Sequence, residues 1–139
     1  RSSIGANAMI GPFAHIRDGS DINDNVRIGN FVEIKNSAIG DNCAAAHLSY
    51  IGDAQLKNNV NVGAGTIIAN YDHRTGEKYE TVINARVSTG ANSVLIAPIK
   101  IGERSIVAAG SVVTKDVPED TLAIARPKQE HKRNKQLTK

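Results

Sequence analysis

The chain has 139 residues, 40% of them apolar, yet it holds only two Phe, three Tyr and no Trp, so its core has to be narrow and aliphatic. Its formal net charge of +3 is a tail effect: residues 127–139 carry Lys128, Lys132, Arg133, Lys135 and Lys139 against Glu130, a local +4 that leaves residues 1–126 at −1. A body so near neutral and so poor in stacking groups argues against nucleic-acid binding; the single Cys43 rules out an internal disulfide, and no apolar run is long enough for a signal peptide or a membrane span, which leaves the cytoplasm as the expected location.

From its first residues the chain repeats. An aliphatic residue returns every six positions at Ile4, Ile10, Ile16, Ile22, Ile28 and Ile34, and four residues after each of the first five comes a small or branched residue: Ala8, Ala14, Ser20, Val26 and Val32. Gly, Asn and Asp crowd the places between. A helix repeats near 3.6 and a lone strand near 2, so a sustained period of six predicts neither; it is the hexapeptide pattern of a parallel β-helix, with three hexads to a coil of 18 residues. The chain opens at Arg1 already inside this repeat and without a Met, as a fragment would, which predicts an unpaired coil edge at the start.

The next coil starts at Ile39, one residue early, and runs through Ala45 and Ile51; another five-residue step leads to Leu56, Val62 and Ile68. These slips fall at coil ends, where a corner absorbs a missing residue more easily than a strand. Residues 69–82 are polar and out of phase, which predicts a loop thrown out of the coil, and loops of that length tend to be functional. The phase resumes at Ile83, Thr89, Leu95, Ile101, Val107 and Val113 and is lost past Pro118, with one last strand expected over Leu122–Ala125. Residues 1–126 are thus read as the β-helix domain and residues 127–139 as a basic tail, helical or disordered. Stacked coils about 4.8 Å apart give six coils a height of about 30 Å.

The runs Gly29-Asn30-Phe31-Val32-Glu33-Ile34-Lys35, His47-Leu48-Ser49-Tyr50-Ile51-Gly52-Asp53-Ala54, Asn61-Val62-Gly63-Ala64-Gly65-Thr66 and Asn70-Tyr71-Asp72 resemble the acetyltransferase domain of bacterial bifunctional GlmU along nearly the whole chain. The resemblance implies an all-β, left-handed parallel β-helix, a homotrimer, and acetyl transfer from acetyl-CoA, as co-substrate, to glucosamine 1-phosphate. The product serves UDP-N-acetylglucosamine, peptidoglycan and lipopolysaccharide precursor synthesis. The family's uridyltransferase domain, with its Mg²⁺ chemistry, is not in this sequence.

An amine must be neutral to attack a thioester, so a general base that titrates near neutrality is required. The residues alone leave four histidines for the role, with His15 at an edge position, His73 in the loop and His131 in the tail; the resemblance selects His47. By the same resemblance Arg17, Lys35, Tyr50 and Asn61 hold the sugar phosphate, while Ala64, Asn70, Tyr71, Ala91, Ala109 and Arg126 line the acetyl-CoA path. The family often has Ser or Cys where Ala91 stands, so a hydroxyl contact to the acetyl group is absent. The loop is about two residues longer than the family form and is expected near a neighbouring subunit, making Lys78 a candidate to act in trans. Zinc is not expected: His15 falls at hexad position six and His47 at position three, so they do not stack, and a catalytic zinc wants three converging ligands.

One expectation rests on spacing alone. Arg17 and Lys35 follow the rung residues Ile16 and Ile34 at hexad position two and should stack on one face, where a bound dianion relieves their repulsion. Otherwise they splay into solvent or pair with Glu33 and Asp18. Two other functions fit the repeat by itself: a hexapeptide acetyltransferase for another amino or hydroxyl sugar, and a non-catalytic β-helix that only oligomerises or binds.

Overall fold

A computed structural model of the chain describes residues 1–138. Three parallel sheets form the faces of a prism. The first face stacks Ser3–Ile4, Asp21–Ile22, Ala38–Ile39, Ala54–Leu56, Thr81–Ile83 and Ile99–Ile101. The second stacks Met9–Ile10, Arg27–Asn30, Ala44–His47, Asn61–Val62, Ser88–Thr89, Ile106–Val107 and Leu122–Ala123, and the third His15–Ile16, Glu33–Lys35, Tyr50–Gly52, Ile67–Ala69, Val94–Ile96 and Val112–Val113. The chain visits the faces in that order coil after coil, and the coil is left-handed. Seven layers on the second face span about 29 Å at the spacing of parallel strands.

The hexad residues are the rungs. Ile4 pairs with Ile22, Ile10 with Ile28 and Ile16 with Ile34, each one coil apart. Ile22, Ile28, Ile34, Ile51, Ile68, Ile83, Leu95 and Ile101 are all at most 1% exposed, so the core is a single aliphatic column. Its first layer is open, with Ile4 and Ile10 exposed. Both five-residue steps lie at the edge between the third and first faces, where Asn36 (φ 46°) and Asp53 (φ 50°) turn the chain. The registers Ile22↔Ile39 and Ile39↔Leu56 are kept because the corner, and not a strand, gives up the residue.

Two expectations change. The out-of-phase segment is a β-hairpin and not an irregular loop: Tyr71–Asp72 pairs antiparallel with Glu77–Lys78, and the flanking Ala69 and Thr81 belong to coil strands. Asp72 fixes the turn by accepting from the Arg74 backbone N–H (2.8 Å), and Gly76 takes the left-handed φ of 75° that the turn needs. The expected last strand is present, at Leu122–Ala123, but the phase is not lost past Pro118. Val117 bridges to Ile101 and Ala123 pairs with Val107, so the phase continues through a shortened step after Val113. Beyond the last strand a 3₁₀ turn covers Lys135–Thr138; the final residue of the predicted tail, Lys139, lies outside the described residues.

Candidate active site

His47 ends the strand Ala44–His47 and stands exposed at the edge between the second and third faces. Its corner is held from two sides, because its carbonyl accepts from the Ser49 hydroxyl (2.8 Å) and from the Gly65 N–H of the next coil (3.3 Å). The same edge climbs by one residue per coil. Asn92 N–H donates to the Ala64 carbonyl (2.8 Å), Gly110 N–H to that of Ala91 (2.9 Å), and the Arg126 guanidinium to that of Ala109 (2.6 Å). His47, Ala64, Ala91, Ala109 and Arg126 therefore form one column: an imidazole at the foot, three positions with nothing beyond a methyl, and a cation at the head. Beside His47 the edge turns through Leu48 and, in the two coils below, through Phe31 and Phe13, all exposed and all with φ from 50° to 60°. The two rings stack at 5.3 Å. A depression of about 570 Å³ opens beside His47, walled by Met9, Pro12, Arg27, Asn30 and Ala46.

The opposite edge of the third face carries the cations. Register places Arg17 and Lys35 in adjacent coils, as their spacing requires, around a depression of about 370 Å³ that His15 and Asp18 also line. Each already has an acid. Arg17 donates to Glu33 (2.9 Å), as the alternative allowed, but Lys35 pairs with Asp53 (3.3 Å) and not with Asp18, which meets the chain's N-terminal amine (3.3 Å). The hairpin adds a third cation, Lys78, beside Lys35 in the same chain. Burial disfavours the charge on Lys35, yet its hydrogen bond to Asp53 and the charge there favour it and raise its pKa, while the contact with Lys35 and its charge lower that of the exposed Lys78. Three cations, Arg17, Lys35 and Lys78, thus gather at this edge with the carboxylates of Glu33, Asp53 and Asp18.

Asp53 and Gly52 were not singled out from the sequence. Gly52 is buried under the Tyr50 ring, and any Cβ there would collide with the Tyr50 hydroxyl and the Asn70 amide. Without it Tyr50 could not lie along the face and meet Asn70 (3.3 Å). Asn70, 6% exposed, also donates to the Asp53 carboxylate, and its carbonyl takes the Tyr79 N–H (2.8 Å), which closes the foot of the hairpin. Burial alone would raise the pKa of Asp53, but hydrogen bonds from Asn36, Asn70 and Lys35 hold it below the ordinary carboxylate value. The signal in the sequence was the short step from Ile51 to Leu56, which puts an αL corner at Asp53.

The predicted residues therefore fall into two groups. Ala64, Ala91, Ala109 and Arg126 line up with His47; Arg17, Lys35, Tyr50, Asn70 and Tyr71 gather across the third face, with Tyr71 packed edge-on against His73 (4.9 Å). Asn61 lies exposed on the second face, in register with Ala44. Among the described residues none lines both depressions.

Residues 1–36 and 80–115 match the model of the bacterial transferase hexapeptide family (six repeats). The chain belongs to that family. Among hexapeptide transferases it is 52% identical over all of its length to the bifunctional protein GlmU of Thermosipho melanesiensis and 58% identical over 92% of its length to that of a Picosynechococcus. It spans only 30% and 28% of those two proteins. Among solved structures the coil is shared with AntD, an N-acyltransferase from Bacillus cereus in complex with dTDP and coenzyme A (22% identity, 98% of this chain and 86% of that one, TM-score 0.81). It is shared too with a GDP-perosamine N-acetyltransferase from Caulobacter crescentus in complex with CoA and GDP-perosamine (24% identity, 87% and 53%, TM-score 0.63).

Proposed function

We propose that this domain transfers acetyl from acetyl-CoA to the amine of glucosamine 1-phosphate, giving N-acetylglucosamine 1-phosphate in the cytoplasm for UDP-N-acetylglucosamine synthesis. The observation that carries it is the column from His47 to Arg126, an open edge with a base at one end and an anion-binding group at the other. Pantetheine lies against Ala64, Ala91 and Ala109, and Arg126 meets the CoA phosphates by charge-assisted hydrogen bonds. The amine nitrogen attacks the thioester carbonyl, His47 takes the ammonium proton as the tetrahedral intermediate forms, and the C–S bond then breaks with return of the proton to the departing thiolate. A backbone N–H of the edge meets the developing oxyanion. The test is acetylation by the isolated domain of glucosamine 1-phosphate, glucosamine 6-phosphate, glucosamine and other amino sugars. Preference for another acceptor would reassign the substrate, and no acetyl-CoA turnover with any of them would leave a non-catalytic coil.

The phosphate of the acceptor is assigned to Arg17 and Lys35, supported by their stacking and by the third cation, Lys78, beside Lys35. Arg17→Ala or Lys35→Ala is expected to raise KM for the phosphorylated sugar about tenfold, the effect of losing one charge-assisted hydrogen bond, with KM for acetyl-CoA nearly unchanged. Equal shifts in both KM values would remove the phosphate from this edge.

The domain is further proposed to work as a homotrimer. Its two groups of site residues lie at opposite edges of the third face, so in a closed three-fold ring the His47 edge of one copy meets the cation edge of the next. The exposed Phe13, Phe31 and Leu48 supply apolar contact along that seam, and Ile67, Ile96 and Val112 make the face between the edges apolar. Lys78 then acts on the site that a neighbour's His47 completes. Sedimentation is expected to give three times the chain mass; a stable, active monomer would overturn the assembly.

A further inference from the structure

Among the described residues Asp53 is the one carboxylate that accepts from three different side chains, those of Lys35, Asn36 and Asn70. It sits where the coil drops a residue, with φ of 50° and a side chain only 13% exposed. Its backbone joins the coils on either side, donating to the Lys35 carbonyl (3.0 Å) and accepting from Thr81 N–H (3.1 Å), the residue at which the chain re-enters the coil after the hairpin. Its carboxylate accepts from Asn36 (2.7 Å), from the Lys35 ammonium (3.3 Å) and from the Asn70 amide. By the family resemblance Lys35 and Asn70 have different tasks, one toward the sugar phosphate and the other toward acetyl-CoA.

We propose that Asp53 is a positioning residue that holds the phosphate-binding Lys35 and the hairpin foot at Asn70 as a single unit, so that one buried carboxylate sets the geometry of both substrate subsites. This rests on the acetyl-transfer reading above. A lysine side chain on its own samples many rotamers, and an ammonium fixed by a carboxylate has lost that freedom before substrate arrives. Asn70 gains the same from Oδ2, the oxygen that also lies nearer the Lys35 ammonium, and because its carbonyl carries Tyr79, the order passes into the strand that presents Lys78. Asp53 itself needs no contact with either substrate; partners of this kind behind binding groups are commonly worth about tenfold or more in affinity or activity.

The experiment is a set of KM measurements on the whole chain with glucosamine 1-phosphate and acetyl-CoA, for Asp53→Ala, Lys35→Ala, Asn70→Ala and the two double variants that include Asp53. Asp53→Ala is expected to raise both KM values about tenfold. In the Lys35→Ala background it no longer moves the sugar-phosphate KM but still moves that of acetyl-CoA, and in the Asn70→Ala background the pattern reverses. Effects of the same size in every background, or unchanged KM values with a lowered melting temperature, would reduce Asp53 to a structural residue. Should Asp53→Ala not fold, Asp53→Asn decides. It keeps a hydrogen-bonding group against Asn70, whose amide can turn to suit it, and loses the charge on Lys35, so only the sugar-phosphate KM should rise; no rise overturns the proposal. Wild-type turnover of glucosamine 1-phosphate is the separate control: its absence overturns the acetyl-transfer reading and this proposal with it, whereas its presence with additive effects overturns this proposal alone.

Discussion

His47→Ala is expected to lower acetyl transfer to glucosamine 1-phosphate by on the order of 10²-fold or more, the range for loss of a positioned general base, without loss of the fold. The second half of that statement follows from how the corner is built. The contacts that fix residue 47 run through its backbone, to Ser49 and Gly65, and its ring makes no hydrogen bond among the described residues. Removing an exposed imidazole of this kind should change stability by no more than about 0.5 kcal/mol. The check is kcat at neutral pH alongside a thermal melt. A folded variant that turns over like the wild type would take the base out of the mechanism, while a collapsed melt would mean that the ring has a structural task that its surroundings do not show.

Ala109→Tyr is expected to raise KM for acetyl-CoA at least tenfold. Ala109 is exposed, its φ is outside the left-handed region, and only its backbone engages the coil, through the carbonyl that receives Arg126. A phenol ring here has room in the free domain and so should not disturb the rungs, but it stands in the column along which pantetheine is proposed to lie. Overfilling a packed site costs about 1–3 kcal/mol, and 1.4 kcal/mol is tenfold in affinity. KM for the sugar phosphate should stay within about twofold. If it rises in step, the substitution has moved the whole edge; if neither KM moves, the acyl donor lies elsewhere.

Much of this geometry was legible because rungs obey a simple rule. An aliphatic residue every six positions has one inward direction, and Ile4 to Ile34 stack as their spacing demands. The cation stack was legible for the same reason, since position two of successive coils shares one edge. Corners were only partly legible. Asn7, Asn25, Asn42 and Asn59 take positive φ as turn-forming residues do, but so do Phe13, Phe31 and Leu48, for which no composition rule prepares the reader. The left-handed conformation costs each of these about 1–2 kcal/mol, and they hold it because ladders above and below fix the chain on both sides. The hairpin was hidden because its pairs, Tyr71 with Lys78 and Asp72 with Glu77, are polar and bury little, so no alternation marks them. Asp53 was hidden because its partners come from the coils on either side of it, brought together only by a corner one residue short.

The column at the His47 edge advances by one residue per coil, and this makes it a ruler. From His47 to Arg126 there are four steps, about 19 Å at the strand spacing. That length can change only in whole graduations: a substitution alters what stands at a mark, whereas moving the marks apart takes an entire added coil and gives about 4.8 Å at once. The hairpin shows the complementary freedom. It leaves the coil at a corner and returns to the register Leu56↔Ile83, so the chain gains an appendage while the scale beside it keeps its divisions.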